Sequence, residues 1–157
     1  MAPARNFLVR LVASGFYTGY SPLVPGTVGT VPAWLIVYFV VGGHTLALGT
    51  AAGVVVLVSV WLAGKAELEF GHDARKIVID EWAGMFLAVL FVPYSTVNYV
   101  IAFAAFRFFD VVKFPPAAQS EKLPGGWGVT MDDVVAAIQA NIVTQVIVWL
   151  VARQGGG

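Results

Sequence analysis

Five apolar runs, separated by short polar segments, account for most of this chain. They cover residues 27–41, 46–63, 77–92, 97–109 and 134–151. Glycine, proline or a charged residue bounds each run, as at the ends of helices. The pattern predicts five helices, but only the second and fifth approach the roughly 20 residues needed to cross a bilayer. The other three are expected to tilt, to pair as a re-entrant hairpin or to extend into polar neighbours, so a count of four stays open.

The composition indicates that these helices lie in a membrane. Apolar residues make up 59% of the 157 residues and charged residues 11%, against roughly 45–50% and about 25% in soluble domains. We therefore predict one all-α integral membrane domain over residues 1–157, a compact bundle of four to five transmembrane or re-entrant helices. The zero net charge argues against nucleic-acid partners, and the absence of Cys excludes thiol chemistry.

The two ends of the chain are expected to lie outside this bundle. Residues 1–16 contain Arg5 and Arg10 beside an apolar stretch that is too short for the core of a signal peptide. They predict an amphipathic helix at the membrane interface. Residues 154–157 are predicted to form a disordered tail.

All nine acidic residues fall in two stretches of the chain. The first stretch holds Glu67, Glu69, Asp73, Asp80 and Glu81, and the second holds Asp110, Glu121, Asp132 and Asp133. A soluble domain spreads its carboxylates over its surface, because an unpaired charge must find water. Their concentration here predicts a cation-binding and catalytic site at one face of a membrane.

The basic residues indicate which face carries the site. Residues 42–45 and 93–96 contain no Lys, Arg, Asp or Glu, whereas the alternate polar segments contain Arg5, Arg10, Lys65, Arg75, Lys76, Lys113 and Lys122. Loops on the cytoplasmic side of a membrane carry an excess of Lys and Arg. The pattern therefore predicts a multi-pass protein with its amino terminus and both acidic stretches in the cytoplasm.

Asp80 and Glu81 stand at the edge of an apolar run, where burying a carboxylate costs about 2.5–3.5 kcal/mol. A divalent cation would offset that cost, and carboxylate oxygens suit Mg²⁺. The alternative is attraction to the positive end of a helix dipole, which is worth only about 0.3–1 kcal/mol per residue. His72, nearby in the sequence, is a candidate acid, base or ligand, or simply an interface histidine.

A third set of charges repeats along one predicted helix. Arg107, Asp110 and Lys113 are spaced by three and so share one helical face, and the prolines at 115 and 116 end the helix. We expect Asp110 to bind the metal while Arg107 and Lys113 hold a phosphate, since Arg grips two phosphate oxygens at once. An intrahelical ladder of ion pairs is the alternative.

The segment 21–30 contains two prolines and two glycines just before a helix. Backbone amides at the helix start, including that of Gly26, are expected to bind phosphate together with the hydroxyls of Ser21, Thr27 and Thr30. No Lys follows the glycines, so the segment is not a P-loop. A loop that enters the membrane and only caps the helix is the alternative.

The segment 125–133 is interpreted as a flexible glycine-rich turn that leads into the last helix. Thr130 and Asp133 resemble a capping box, with Asp in place of the usual Glu. Capping accounts for one acid but not for the adjacent pair, so Asp132 and Asp133 are both assigned to the metal.

Four ordered segments carry a resemblance to the phosphatidylglycerophosphatase A family: residues 21–27, 77–81, 106–113 and 125–133. The resemblance implies a Mg²⁺-dependent phosphatase of the bacterial inner membrane. Such an enzyme takes phosphatidylglycerophosphate, a membrane lipid, and removes its terminal phosphate to give phosphatidylglycerol at a cytoplasm-facing site. The chain departs from the family pattern after Lys113, where Phe114 replaces a proline and 117–120 is uncharged, which leaves the role of Glu121 and Lys122 open.

The resulting hypothesis is metal-assisted hydrolysis of a phosphate monoester. One Mg²⁺ or two would be held by Asp80, Glu81, Asp110, Asp132 and Asp133. Water is the expected nucleophile, and either His72 or a catalytic carboxylate among Asp80, Glu81, Asp110 and Asp133 would take its proton. An aspartyl-phosphate intermediate is conceivable, but its usual sequence motif is absent.

Two other classes of protein fit parts of the pattern. A CDP-alcohol phosphotransferase is also a small Mg²⁺-dependent membrane enzyme, but its signature of four aspartates is missing here. A non-enzymatic Mg²⁺ carrier or channel would need acids along a path through the bilayer, whereas the middle of each apolar run is uncharged.

Overall fold

A computed structural model describes residues 3–71 and 74–154 as a bundle of helices, with no strand in these ranges. The helices are α1 (Pro3–Ala13), α2 (Pro25–Leu35), α3 (Thr45–Phe70), α4 (Ile79–Ala88), α5 (Thr96–Val112), α6 (Ala117–Ser120) and α7 (Gly126–Gln154). A 3-10 turn (Thr18–Tyr20) precedes α2, and a π-helical segment (Ile36–Val41) continues it. All five predicted helices are present, which confirms the all-α class.

Two of the helices, α3 and α7, are long and apolar enough to cross a membrane. Only 28% and 22% of their most apolar windows are buried inside the protein. Large apolar side chains such as Leu57 and Trp149 therefore point outward, unlike those on the central helix of a soluble domain. Such faces suit contact with lipid.

The shortest of the five predicted helices, α4, lies at the centre of the bundle, in contact with α2, α3, α5 and α7. Its 10 residues extend only about 15 Å at roughly 1.5 Å per residue, half of a hydrocarbon core. The predicted helix over 77–92 is thus too long. The chain turns after Ala88, and Phe91 has a positive φ of 62°.

A polar side chain from α7 donates hydrogen bonds to the carbonyl groups at the end of α4. The Asn141 amide donates to the carbonyls of Leu87, Ala88 and Leu90 at 3.3, 3.0 and 2.7 Å. Gln145 donates in turn to the Asn141 carbonyl oxygen at 2.6 Å. Carbonyls at a helix end need a partner when water is excluded. This contact allows α4 to end inside the bundle.

Two helices continue further into polar sequence than their apolar runs predict. Helix α3 extends to Phe70, and α7 begins at Gly126, so the predicted flexible turn and the Thr130 capping box are wrong. Gly126 packs against the α3 backbone at Val60 and Gly64, and the Thr130 hydroxyl lies 2.9 Å from that of Ser59. Close packing on α3 therefore orders the glycine-rich segment as helix.

The two uncharged connections meet at one end of the bundle. Tyr94 stacks on Tyr38 with ring centroids 5.1 Å apart, and its hydroxyl donates to the Tyr38 carbonyl at 3.0 Å. A side chain at Gly43 would collide with Tyr94. The starts of α4 and α7 and the end of α5, which carry the acids, lie at the opposite end.

The amino-terminal helix α1 ends at Ala13, three residues before the predicted end, and packs on α3. Arg10 and Glu69 join the two helices at 2.8 Å. At the other end of the chain, Gln154 still belongs to α7. The rest of the predicted tail lies outside the described residues.

Candidate active site

Three helices bring the candidate acids together at one end of the bundle. Asp80 and Glu81 lie in the first turn of α4, Asp110 lies near the end of α5, and Asp132 and Asp133 lie near the start of α7. One carboxylate oxygen from each of Asp80, Glu81 and Asp133 lies within 4.8 Å of the other two. Asp110 is within interaction distance of Asp133. The structure thus gathers the five acids assigned from the sequence.

Burial makes this cluster electrostatically demanding. Asp80 and Asp133 are only 8% and 3% exposed. The carboxylate oxygens Glu81 Oε2, Asp132 Oδ1 and Asp133 Oδ2 are buried and have no hydrogen-bond partner among the described residues. A buried acceptor without a partner costs about 1–3 kcal/mol, and more if charged. Such oxygens are the ligands that Mg²⁺ prefers, so the donor set fits this ion.

Arg107 lies between the acids and α2. Its Nη1 is 2.9 Å from Asp110 Oδ2 and 4.0 Å from Glu81 Oε1. The same nitrogen donates to the Thr30 hydroxyl at 3.4 Å. The ion pair between Arg107 and Asp110, which the sequence offered as the alternative to metal and phosphate binding, is therefore present. The guanidinium still has a donor to spare, because its Nε has no partner within the described ranges.

Lys113 does not continue the predicted charged face. It follows the last turn of α5 with a positive φ of 51°, and its ammonium donates to Asp132 Oδ2 at 2.8 Å and Glu121 Oε1 at 3.1 Å. Burial lowers the pKa of Lys113, but these two carboxylates outweigh burial and raise the pKa above its ordinary value. The sequence left the role of Glu121 open; in the structure Lys113 links Glu121 to Asp132.

A pocket of about 370 Å³ opens beside the cluster. Its lining consists of Pro22, Val24, Pro25, Gly26, Thr27, Arg75, Glu81, Arg107 and Val111. A Cβ at Gly26 would come 2.5 Å from Glu81 Oε1 and 2.7 Å from Arg107 Nη2. A larger residue here would displace the side chains of Glu81 and Arg107, so glycine lets both keep their positions. The first amides of α2 also lack intrahelical partners, as at any helix start.

The hydroxyl groups predicted to bind phosphate have different surroundings. The Ser21 hydroxyl donates to the Leu23 carbonyl at 2.8 Å and so stabilises the loop. Thr30 is buried, and its hydroxyl donates to the Gly26 carbonyl at 2.7 Å. Thr27 lines the pocket. The structure thus supports a structural role for Ser21 and Thr30, and their phosphate contacts stay predictions.

Sequence reasoning missed one charged residue of the pocket, and one candidate site residue lies outside the described residues. Arg75 lines the pocket, although the sequence indicated only its contribution to membrane orientation. The signal was present, since Arg75 comes six residues before Glu81 in the same acidic stretch. His72, the candidate base, lies outside the described residues.

The fold and site define a class: a helical protein, with two helices apolar enough to cross a membrane, that gathers carboxylates and a guanidinium at a pocket suited to phosphoryl-transfer chemistry. The chain belongs to the phosphatidylglycerophosphatase A family, whose model matches residues 11–148. This match confirms the resemblance carried by the four sequence segments. Membership makes the chain an enzyme, a phosphatase of the hydrolase class.

Three relatives are similar over more than three quarters of their lengths. A protein of Bacteroides thetaiotaomicron, named provisionally as a phosphatidylinositol-3-phosphatase, is 38% identical, with 93% of this chain and 97% of the relative covered. The phosphatidylglycerophosphatases A of Haemophilus influenzae and Escherichia coli are 36% and 33% identical. The alignments cover 86% and 82% of this chain and 85% and 77% of those relatives. No solved structure matches this chain.

Proposed function

We propose that this protein hydrolyses the terminal phosphate monoester of phosphatidylglycerophosphate to give phosphatidylglycerol and inorganic phosphate. The observation that carries the proposal is the approach of Asp80, Glu81 and Asp133 within 4.8 Å, next to Arg107 at an open pocket. The names of the Haemophilus influenzae and Escherichia coli relatives support this substrate.

Mg²⁺ is the proposed cofactor, held by Asp80, Glu81 and Asp133 with Asp110 and Asp132 nearby. The unpartnered buried oxygens of Glu81, Asp132 and Asp133 support this assignment. When bound, the ion supplies positive charge that stabilises the phosphoryl oxygens as the phosphate is transferred.

The chain's own residues orient the phosphate and the water. Arg107 binds phosphoryl oxygens through those N–H groups of its guanidinium that do not contact Asp110 and Thr30. The phosphorus–oxygen bond to glycerol breaks, water adds to phosphorus, and one water proton ends on the glycerol oxygen. A carboxylate of the cluster or His72 accepts that proton first.

The proposed setting is the cytoplasmic face of the bacterial inner membrane. The outward-facing apolar residues of α3 and α7 support membrane insertion. The uncharged connections at one end and the acids at the other support a multi-pass arrangement of four to five transmembrane or re-entrant helices. The short α4, capped by Asn141, suits a re-entrant helix.

The direct test is phosphate release from phosphatidylglycerophosphate by the purified protein in detergent, with Mg²⁺ or with a chelator. We expect one phosphate per phosphatidylglycerol formed, and release only with Mg²⁺. Transfer of a cytidylyl-activated lipid to an alcohol, with no phosphate release, would support a phosphotransferase instead. Mg²⁺ uptake into vesicles without hydrolysis would support a carrier.

Phosphatidylinositol 3-phosphate is a second candidate substrate, favoured by the name of the Bacteroides thetaiotaomicron relative. Both lipids carry a phosphate monoester at the outer end of the headgroup and a phosphodiester at the glycerol backbone. Parallel assays at equal surface concentration measure the preference. A higher kcat/KM for the inositol lipid would make it the principal substrate.

A further inference from the structure

We propose that Arg75 forms a second phosphate subsite, which binds the phosphodiester of the lipid while the monoester occupies the acidic end of the pocket. This inference rests on the proposed function and adds the orientation of the substrate. Arg75 would be a specificity-determining residue, since it lines the same pocket as the reacting group and forms no ion pair with an acid among the described residues.

The two ends of the pocket differ in exposure and chemistry. At the inner end, the side chains of Arg107 and Glu81 are 14% and 12% exposed, and the buried acids lie behind them. At the outer end, Arg75 is exposed, and Val24 and Val111 are 66% and 71% exposed. The pocket therefore leads from an apolar rim with one guanidinium to a buried polar end.

The volume of the pocket suits more than one phosphate. At about 370 Å³, it is far larger than the roughly 10–15 Å³ that a single bound water needs on the same measure. A monoester at Arg107, an alcohol linker and a diester at Arg75 can fill this space together. The exposed valines at the rim then face the diacylglycerol part of the lipid.

Charge supports the same orientation. The inner end has several carboxylates whose repulsion must be offset before a doubly charged monoester can enter, whereas the described lining of the rim brings only Arg75 as a charged group. A phosphodiester carries a single negative charge, and one guanidinium can bind two of its oxygens. The rim therefore matches the diester and the inner end matches the monoester with its cation.

Inhibition by each reaction product tests one subsite. Phosphatidylglycerol keeps the diester, and inorganic phosphate is the former monoester. For purified full-length Arg75→Ala in detergent, we expect the KM for phosphatidylglycerophosphate and the Ki of phosphatidylglycerol to rise about 10-fold, as for loss of one hydrogen bond to a charged group. The Ki of inorganic phosphate, kcat and the Mg²⁺ concentration at half-maximal rate should stay within about twofold.

The matched control is Lys76→Ala. Lys76 is the neighbouring exposed cation, but its ammonium lies over the ring of Tyr20 at 4.9 Å, away from the pocket lining, so all these constants should stay near wild type. Arg75→Lys should retain part of the affinity for the diester.

Two results would overturn the inference while the proposed function stands. One is an unchanged KM in Arg75→Ala. The other is an equal rise in the Ki values of phosphate and phosphatidylglycerol, which would mean that Arg75 binds the reacting phosphate. Failure of the wild-type protein to release phosphate from the lipid would instead overturn the proposed function, and the inference with it.

Discussion

Asp133 places a carboxylate oxygen close to Asp80 and Glu81, and its Oδ2 is buried without a hydrogen-bond partner in the described structure. An oxygen in that position either binds a cation or costs free energy of folding. Asp133→Asn keeps the shape of the side chain but removes the charge. The residue therefore distinguishes loss of metal binding from loss of the fold.

We predict that Asp133→Asn lowers Mg²⁺-dependent phosphate release by at least about 100-fold, the upper end of the loss seen even for outer-shell partners of a metal. The variant should still insert in the membrane. Phosphate release and detergent-solubilised yield measure the two effects. Glu69→Gln is the control, because Glu69 pairs with Arg10 at the surface. Near-normal turnover of Asp133→Asn would remove this residue from the metal site.

Arg107 could serve the metal site or the phosphate, because it contacts two acids and also lines the pocket. For Arg107→Lys we expect kcat/KM to fall about 10-fold or more, since a single ammonium cannot reproduce the paired contacts of a guanidinium. The Mg²⁺ concentration at half-maximal rate should change little. Full recovery of activity at high Mg²⁺ would show that Arg107 organises the carboxylates rather than the phosphate.

Among the helices, α4 carries two of the candidate site residues and is also held by contacts at its other end. Its first turn carries Asp80 and Glu81, and its last carbonyls accept hydrogen bonds from Asn141 on α7. A short helix inside a bundle is held by such contacts, because its own hydrogen bonds cannot satisfy its ends. The position of the two acids therefore depends on an amide at the far end of the helix.

We predict that Asn141→Ala destabilises the protein by about 1–3 kcal/mol, the cost of leaving buried carbonyls unpartnered. It should also raise the Mg²⁺ concentration at half-maximal rate, because α4 carries two of the acids. Thermal unfolding in detergent and Mg²⁺ titration of activity measure these effects. Asn98→Ala, which removes an exposed contact with Pro93, is the control. Equal melting temperatures for the two variants would contradict the prediction.

For the whole molecule, the central question is the proposed orientation of the bundle in a membrane. The connections around Gly43 and Tyr94 lie together at one end, and the acids lie at the other. This separation allows accessibility to be tested at both ends with single cysteines. Gly43 itself is a poor site, because its φ of 76° and its contact with Tyr94 disfavour any side chain.

We predict that His44→Cys and Pro93→Cys, both at exposed positions, react with a membrane-impermeant thiol reagent added to intact cells. Gln119→Cys, exposed on α6 near the acids, should react only after the cells are opened. The chain has no native Cys to confuse the measurement. Labelling of Gln119→Cys in intact cells would reverse the proposed orientation.

The sequence by itself determined the helical class, the approximate positions of five helices and the gathering of the acids at one end. These features depend on short-range patterns, because an apolar run forms a helix wherever water is excluded and alternate connections return to the same end. Four short segments also sufficed to place the chain in its family, since their residue types and order are specific together.

Only the tertiary structure decided where the helices end and which charges meet. Close packing of Gly126 on α3 starts α7 eight residues before its apolar run, and the Asn141 amide ends α4 inside the bundle. Lys113 turns to Asp132 and Glu121, and Arg75 lines the same pocket as Arg107. Each of these outcomes depends on contacts between different elements of the chain, and no local pattern encodes such contacts.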